Sequence, residues 1–357
     1  MHPLFIVGVH RRRRHLIMCR LYLAFVPPSS PNSGTEHTHN GVPVMRRSRQ
    51  VPNGRAMTRH GGTRFKMALA VLACVLLLAP PAWAQSRPSA GQQVVLVTGS
   101  TSGLGEEVAR RIAAGGAHVI VHGRNRERGM ALVDEIERSG TGSAWFYAAD
   151  FASFAQVREF GETILRDYTR LDILVNNAGF GSAPDERLLS EDGHEFRFQV
   201  NYLAPFLLTR MLMPRLLDST PSRIINVSSL ASSPIDFDDV MIENNFSGGR
   251  AYGQSKHSQV MMTFDLAEEL EGTGVTVYAL HPAAYMDTPM VRRLGQRPMA
   301  TVDEGATALM QLVTSTEIES GQFFNGLRAG RAPNAQAYDL EARAMLKELS
   351  EDLTGLR

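Results

Sequence analysis

Apolar and polar positions follow two distinct patterns along the chain from residue 92 onward. Short runs rich in β-branched residues predict strands at residues 93–99, 117–123, 143–150, 171–179, 222–229, 274–282 and 321–326. Longer stretches with apolar residues at helical spacing predict helices near 103–115, 127–139, 153–169, 191–218, 250–271, 302–314 and 335–353. Strands that alternate with helices are typical of βαβ units. We therefore predict an α/β fold over residues 91–357: a single Rossmann-type doubly wound domain, with a seven-stranded parallel sheet and helices on both faces.

A different pattern precedes this domain. Residues 67–84 read MALAVLACVLLLAPPAWA, an apolar run that follows a basic stretch and ends in Ala-Trp-Ala. This pattern predicts a secretory signal peptide cleaved after Ala84, because the run is shorter than the roughly 20 apolar residues that span a bilayer. An uncleaved membrane anchor is the alternative, since basic residues lie on its N-terminal side. Either interpretation predicts an exported protein, periplasmic or associated with a membrane through residues 67–84.

Residues 1–66 are rich in Arg, Ser, Pro and Asn and have no apolar periodicity. We expect them to be disordered, or to lie upstream of the true start, for which Met45, Met57 and Met67 are candidates. If the start site is wrong, a cytoplasmic location becomes the alternative.

The net charge of +1 hides an asymmetry between the two parts of the chain. Residues 1–66 hold 12 Lys and Arg and a single acidic residue, whereas the remainder holds 25 basic and 35 acidic residues. An acidic body repels phosphate backbones at the distances where electrostatic steering acts. We therefore expect no nucleic-acid partner.

Cysteine and histidine usage argues against a metal centre. Both cysteines, Cys19 and Cys74, precede the predicted domain, as do six of the 11 histidines. The histidines that remain show no paired spacing on a helix of the kind that binds zinc. We predict no metal site.

The first predicted strand ends in a glycine-rich sequence, TGSTSGLG at residues 98–105, that leads into a helix. Glycines at 99, 103 and 105 allow a tight turn in which backbone N–H groups approach a pyrophosphate at the helix N-terminus. A structural turn without a ligand is the alternative, but a strand before the turn and a helix after it favour a dinucleotide site. We expect cofactor contacts from Gly99, Ser102, Gly103, Leu104 and Gly105.

The end of the second predicted strand bears on the choice of cofactor. NAD sites place an acidic residue about 20 residues after the glycines, where it binds the ribose 2′-hydroxyl. Here the strand ends in His-Gly-Arg-Asn-Arg at 122–126, and guanidinium groups would bind a 2′-phosphate. A solvated loop is the alternative. We predict NADP rather than NAD, with contacts from Arg124 and Asn125.

Tyr252 and Lys256 stand four residues apart on a predicted helix, so both side chains lie on one face. A packed ring beside a solvated amine would explain this spacing if it stood alone. Ser229, however, closes the fifth predicted strand, and Asn201 lies within the preceding long helix. In open α/β sheets the carboxyl ends of the strands are the side that binds ligands.

Together with Asp150 after the third strand, NNAG at 176–179 and His-Pro at 281–282, these motifs resemble the short-chain dehydrogenase/reductase family over residues 92 to 328. The 23 residues from Ser229 to Tyr252, with FQVNYLAPFLLT at 198–209, are similar to its retinol-dehydrogenase-like branch. The resemblance implies a hydride transfer between nicotinamide and an alcohol or carbonyl carbon.

The resemblance also implies residue roles. Tyr252 would be the acid/base, with its pKa lowered by the Lys256 ammonium, and Lys256 would also hold the ribose. Ser229 would donate a hydrogen bond to the substrate oxygen, and Asn201 would hold a water that relays the proton. Cofactor contacts would come from Asp150 at the adenine, and from Asn177, Ala178, Gly179, Pro282 and Thr288.

One departure from the family pattern follows the sixth strand. Ala283 stands where the family has glycine after proline, which restricts the backbone near the nicotinamide carboxamide. Beyond it, the segment 285–299 is where this family places its substrate lid. Its methionines suit an adaptable apolar pocket or, equally, ordinary core packing, and its arginines would suit an acidic substrate.

We accordingly expect an NADP(H)-dependent oxidoreductase that acts on a small alcohol or carbonyl compound, with an apolar compound as one alternative, and that forms a homo-oligomer. A non-catalytic dinucleotide-binding sensor or interaction protein on the same fold is the alternative hypothesis. Its mark would be a missing Ser, Tyr or Lys, and all three are present.

Overall fold

Eight strands form one sheet in the computed structural model, which describes residues 87–357. The strands are β1 (Val94–Val97), β2 (His118–Gly123), β3 (Ser143–Ala148), β4 (Ile173–Asn176), β5 (Ser222–Val227), β6 (Val275–His281), β7 (Gln322–Asn325) and β8 (Arg328–Gly330). Their order across the sheet is β3-β2-β1-β4-β5-β6-β7-β8. The reversal between β1 and β4 is the switch point of a doubly wound fold, so the predicted fold class is confirmed.

The predicted strand number was one too low. Strands β1 to β7 run parallel, but β8 returns antiparallel to β7. Gly326 reverses the chain with a φ of +59°. The returning strand is Arg-Ala-Gly, three exposed residues that carry no apolar alternation for a sequence pattern to detect.

Helices cover both faces of the sheet. They are α1 (Gly103–Ala114), α2 (Arg126–Ser139), α3 (Phe154–Asp167), α4 (Ala204–Asp218), α5 (Gly248–Glu269), α6 (Pro289–Arg293), α7 (Val302–Thr314) and α8 (Leu340–Leu353). Alternate residues of β1 point to opposite faces. Leu96 belongs to the core beneath α3, α4, α5 and α8, whereas Val97 belongs to the core beneath α1, α2 and α7.

The helix predicted for residues 191–218 begins later than its apolar pattern indicates. Gly193, with a φ of +85°, holds residues 191–194 in a turn, and Glu195 caps the helix by accepting from the backbone N–H of Phe198. One short α-helical turn (Phe196–Phe198) and a π-helical turn (Gln199–Leu203) then lead into α4. Asn201 therefore lies at the centre of the π-helical turn, a feature that is frequent at functional sites.

The predicted segments 1–66 and 67–84 lie outside the described residues. Within residues 87–357 no helix has both the length and the apolar character needed to cross a bilayer.

Three buried histidines make the stability of the fold depend on pH. Burial lowers the pKa of His118, His122 and His257 to about 4. An unfolded histidine titrates near about 6.5. Between these values the unfolded chain binds more protons than the folded chain, so stability is lost as the pH falls.

We expect the free energy of unfolding, measured by urea denaturation, to be lower at pH 5 than at pH 7.5, by roughly 1–2 kcal/mol per histidine. The variant His122→Asn, which lacks one of the three titrating groups, should lose less stability over the same range. Equal free energies of unfolding at the two pH values would contradict this assignment.

Candidate active site

The glycine-rich turn lies at the carboxyl end of β1, directly against the residues that follow β4. Gly99 has a φ of +65°, and a Cβ added there would lie 2.7 Å from Cα of Ala178. A Cβ on Gly105 would lie 2.4 Å from Nδ2 of Asn177. Both positions therefore require glycine for the two chain segments to touch.

The turn and the start of α1 have the features of a pyrophosphate site. Ser102 is the N-cap of α1, yet its hydroxyl accepts no hydrogen bond from the first-turn amides. Those amide groups and the positive end of the helix dipole are thus free to bind an anion at the start of α1. Gly103 has a φ of +60°, which keeps the backbone without a side chain where a phosphate would approach. The residues present fit a dinucleotide.

The predicted cofactor residue Asn177 has a structural task as well. Its side-chain amide donates to the carbonyl oxygens of Thr98 (2.8 Å) and Gly99 (3.2 Å). The Thr98 hydroxyl in turn accepts from the backbone N–H groups of Asn177 and Ala178, both at 3.0 Å. These four hydrogen bonds fix the glycine-rich turn against the end of β4.

His122 is a contributor to this turn whose role the sequence analysis missed. Its Nδ1 accepts from the backbone N–H of Gly99 at 3.1 Å, and its ring stacks between Phe151 and Phe160. Because burial lowers the pKa of His122, the ring stays neutral and keeps Nδ1 as an acceptor. The available signal was a polar histidine at the end of a buried strand, one residue before the cofactor loop.

The proposed 2′-phosphate residues lie beside the turn. Gly123 has no Cβ, and one added there would lie 2.6 Å from Oγ1 of Thr101. The Arg124 side chain is 61% exposed, and its guanidinium lies 3.4 Å from the Asp150 carboxylate. Asn125 caps α2 by accepting from the backbone N–H of Arg128. Arg124 thus extends into solvent at the cofactor end, whereas the Asn125 side chain is occupied by the helix.

Ser229, in the loop after β5, lies close to Tyr252 on α5. The Ser229 side chain interacts with that of Tyr252, and its hydroxyl accepts from the backbone N–H of Ala231 at 3.1 Å. A Cβ on Gly253 would lie 2.5 Å from Oγ of Ser233. This close approach brings the loop after β5 against α5 next to Tyr252. Burial raises the pKa of Tyr252, whereas the interaction with the Ser229 side chain lowers it.

Lys256 is 4% exposed, and burial lowers the pKa of its ammonium to about 7. Nζ donates to the carbonyl oxygen of Val227 at 2.7 Å and to Oε1 of Gln259 at 2.9 Å. It lies 6.0 Å from the centre of the Tyr252 ring, and among residues 87–357 it forms no ion pair. The pKa of Tyr252 is raised, chiefly by burial, and not lowered as the resemblance implies. Gln259, three residues along the same helix, was not predicted; its helical spacing from Lys256 was the available signal.

Asn201 and Gly179 connect Lys256 with residues 177–179, the segment after β4 that we call the cofactor strip. A Cβ on Gly179 would lie 3.5 Å from Nζ of Lys256 and 3.4 Å from Oδ1 of Asn201. The Asn201 amide binds both backbone groups of Phe180 and donates to the Ser255 hydroxyl at 2.8 Å. The side-chain amide of Asn201 is thus bound to protein partners, and its water-holding role stays a prediction.

The segment after β6 packs against the glycine-rich turn. Pro282 is buried after β6, and Thr288 caps the short helix α6 while its methyl group lies 3.2 Å from a Cβ position on Gly103. The left-handed residue of this segment is Tyr285, with a φ of +42°, and not Ala283. Tyr285 lies close enough to Tyr252 to contribute to the raised pKa of its phenol.

The methionines of this segment divide between the two roles left open by the sequence. Met286 packs against Gly305 and Leu104 in the core. Met290 contacts Gly181 in the loop after β4, and Met299 is 74% exposed. In the part of the chain described, no group of three or more His, Cys, Asp and Glu side chains is arranged to hold a metal ion.

Comparison with known proteins decides the family. The model for the family described as short chain dehydrogenase matches residues 93–298, which is more than half of the chain. The chain is a short-chain dehydrogenase. It is 36% identical to mouse retinol dehydrogenase 13 over 286 residues, covering 74% of this chain and 84% of the relative. It therefore belongs to the retinol-dehydrogenase-like branch and is an NAD(P)-dependent oxidoreductase.

Solved structures agree with this assignment. A short chain dehydrogenase from Burkholderia cenocepacia in complex with NADP superposes with a TM-score of 0.54 at 29% identity, covering 65% of this chain and 95% of that one. The 3-ketoacyl-(acyl-carrier-protein) reductase from Brucella melitensis complexed with NADH gives a TM-score of 0.53 at 28% identity, covering 65% and 96%. Both forms of the nicotinamide cofactor thus occur among structures similar to this dehydrogenase.

The contact between Gly105 and Asn177 gives a direct test of the turn. We expect Gly105→Ala to weaken dinucleotide binding at least about tenfold and to lower the free energy of unfolding by about 1–3 kcal/mol, because the new methyl group overpacks the turn. Fluorescence titration with NADPH and urea denaturation measure the two effects.

Gly249→Ala is the matched control, since a Cβ there meets nothing within 4 Å. It should leave both properties unchanged or slightly raise stability. If Gly105→Ala bound NADPH as the control does, the close packing would have no bearing on cofactor binding.

Proposed function

We propose that the protein is an NADP(H)-dependent dehydrogenase/reductase that uses Tyr252, Ser229 and Lys256 to transfer a hydride between nicotinamide and an alcohol or carbonyl carbon. The observation that carries the proposal is the proximity of these three side chains to one another, with Nζ of Lys256 6.0 Å from the centre of the Tyr252 ring. The Ser229 side chain interacts with that of Tyr252, and Gly179 adjoins Lys256 at the end of the cofactor strip.

Each group has a chemical task that its surroundings support. A bound nicotinamide supplies or accepts the hydride. The Tyr252 phenol, kept protonated by burial, gives its proton to a carbonyl oxygen in the reduction, and its phenolate takes the proton of an alcohol in the oxidation. The Ser229 hydroxyl donates to the same oxygen and stabilises the charge that develops there. The Lys256 ammonium holds the ribose hydroxyls and favours the phenolate once Tyr252 has given up its proton.

The remaining polar residues of the site would position these groups. Asn201 holds Phe180 and Ser255, which fixes the strip after β4 against α5. Asn177 and His122 hold the glycine-rich turn, and Asp150 would approach the adenine. Ala178, Pro282 and Thr288 line the cleft around them.

NADP is the proposed cofactor because the cofactor end is basic. Arg124 is exposed beside the glycine-rich turn, and its contact with Asp150, at 3.4 Å, leaves most of the guanidinium available to a 2′-phosphate. No acidic residue follows β2 at the position where NAD sites bind the ribose 2′-hydroxyl.

We propose an apolar alcohol or aldehyde as the substrate. Leu230, Tyr285 and Met299 are exposed in the loops that carry or adjoin Ser229 and Tyr252. The name of the mouse relative, retinol dehydrogenase, supports this class of compound.

We further propose that residues 91–357 are the dehydrogenase domain, that residues 67–84 direct export or anchorage, and that the protein is a homo-oligomer.

Replacing the acid/base tests the chemistry. We expect Tyr252→Phe to lower kcat by at least about 1000-fold while NADPH affinity stays within about threefold, because only proton transfer is lost. Tyr338→Phe is the matched control, since this tyrosine is 43% exposed, packs against Phe264 and accepts from the backbone N–H of Ala332. Turnover of Tyr252→Phe near the control value would remove Tyr252 from the mechanism.

Replacing Arg124 tests the cofactor preference. We expect Arg124→Ala to raise the Kd of NADPH at least about tenfold and to leave the Kd of NADH nearly unchanged, because only NADPH carries the 2′-phosphate. Arg138→Ala, at the opposite end of α2, controls for the loss of one positive charge. Equal losses for both cofactors in the Arg124 variant would contradict a 2′-phosphate contact.

A further inference from the structure

Arg197 is fully buried, and the chemistry proposed above makes no use of its charge. A guanidinium has five N–H donors, and here each of the five has an acceptor. The acceptors are the carbonyl oxygens of Gly181 (3.0 Å), Ser182 (2.9 Å), Glu186 (3.3 Å) and Pro184, and Oε1 of Glu195 (3.2 Å).

Four of these acceptors belong to one irregular loop, residues 181–186, which follows the cofactor strip. Carbonyl groups of such a loop lack the partners that a strand or helix provides, and leaving them unpaired in the interior is costly. Arg197 supplies these partners from a single point. The rings of Phe180 and Phe246 flank the guanidinium at 5.3 and 5.6 Å. The loop therefore owes its conformation to this side chain.

The same loop separates the cofactor strip from the catalytic helix. At its start, the backbone of Phe180 is held by Asn201. At its far side, Asp185 accepts from the backbone N–H of Gly248 at 2.5 Å, and a Cβ on Gly248 would lie 2.0 Å from the carbonyl oxygen of Ser182. Gly248 is the first residue of α5, one helical turn before Tyr252. The loop is thus a spacer between Gly179 and the start of α5.

We propose that Arg197 is a positioning residue that, through loop 181–186, sets the position of Tyr252 relative to the cofactor strip. This inference rests on the function proposed above. Loss of the guanidinium leaves four buried carbonyl oxygens and Oε1 of Glu195 without the N–H donors of Arg197, so the loop must rearrange. The start of α5 then shifts, whereas the glycine-rich turn, held by Thr98, Asn177 and His122, stays in place.

The test compares Arg197→Met and Arg197→Lys with a matched control, Arg223→Met. Arg223 also donates to a row of carbonyls, those of Leu312, Val313 and Ser315, but at the end of α7. For the folded enzyme we expect kcat/KM to fall about 100-fold in Arg197→Met and about tenfold in Arg197→Lys, because a displacement of about 1 Å suffices for such losses. The Kd of NADPH should stay within about threefold, and amide hydrogen exchange in residues 248–256 should accelerate.

Arg223→Met should lower the melting temperature yet keep kcat/KM within about threefold of the wild type. If either Arg197 variant kept kcat/KM in that range, the positioning role would be wrong. Should Arg197→Met fail to fold, Arg197→Lys alone decides by the same criterion.

If the wild type itself shows no oxidoreductase activity, the proposed function is wrong. Hydrogen exchange then decides the positioning role, and equal protection of residues 248–256 in Arg197→Lys and Arg223→Met overturns it.

Discussion

The contact between the glycine-rich turn and the end of β4 is the constraint on which the site depends. Gly99 and Gly105 let the backbone after β1 touch Asn177 and Ala178, and any side chain at either position would separate them. From that contact the strip continues through Gly179 to Lys256. The cofactor end and the catalytic end of the cleft are therefore parts of one continuous packing arrangement.

Polar groups buried without an opposing charge give this arrangement its chemistry. Lys256 is held by a carbonyl and an amide oxygen, so its pKa falls to about 7 and its charge is sensitive to whatever binds nearby. Tyr252 responds to the same burial with a raised pKa. Arg197 shows the contrasting solution, since its charge is matched by Glu195 and every N–H has an acceptor. The groups that we propose to react are thus buried without an opposing charge, while Arg197 is buried with one.

Sequence patterns predicted the features that depend on local chemistry. Strand and helix periodicity indicated the doubly wound fold, and the TGSTSGLG and Tyr-x-x-x-Lys motifs predicted the candidate site residues. Features that depend on contacts between distant segments were not predictable in this way. The start of the helix before Asn201 is set by Gly193 and Glu195, and β8 consists of three residues that pair only because β7 is beside them. His122 likewise acquires its task from Gly99, Phe151 and Phe160 in other segments, and Arg197 from the irregular loop 181–186.

The central claim is that a hydride passes directly between nicotinamide and a carbon whose oxygen contacts Tyr252 and Ser229. Reduction of an apolar aldehyde with NADPH deuterated at both C4 positions, followed by mass spectrometry of the product, tests it most directly. The account predicts an alcohol with one deuterium on its carbinol carbon. An unlabelled alcohol, or no reduction of any aldehyde by a protein that binds NADPH, would contradict it.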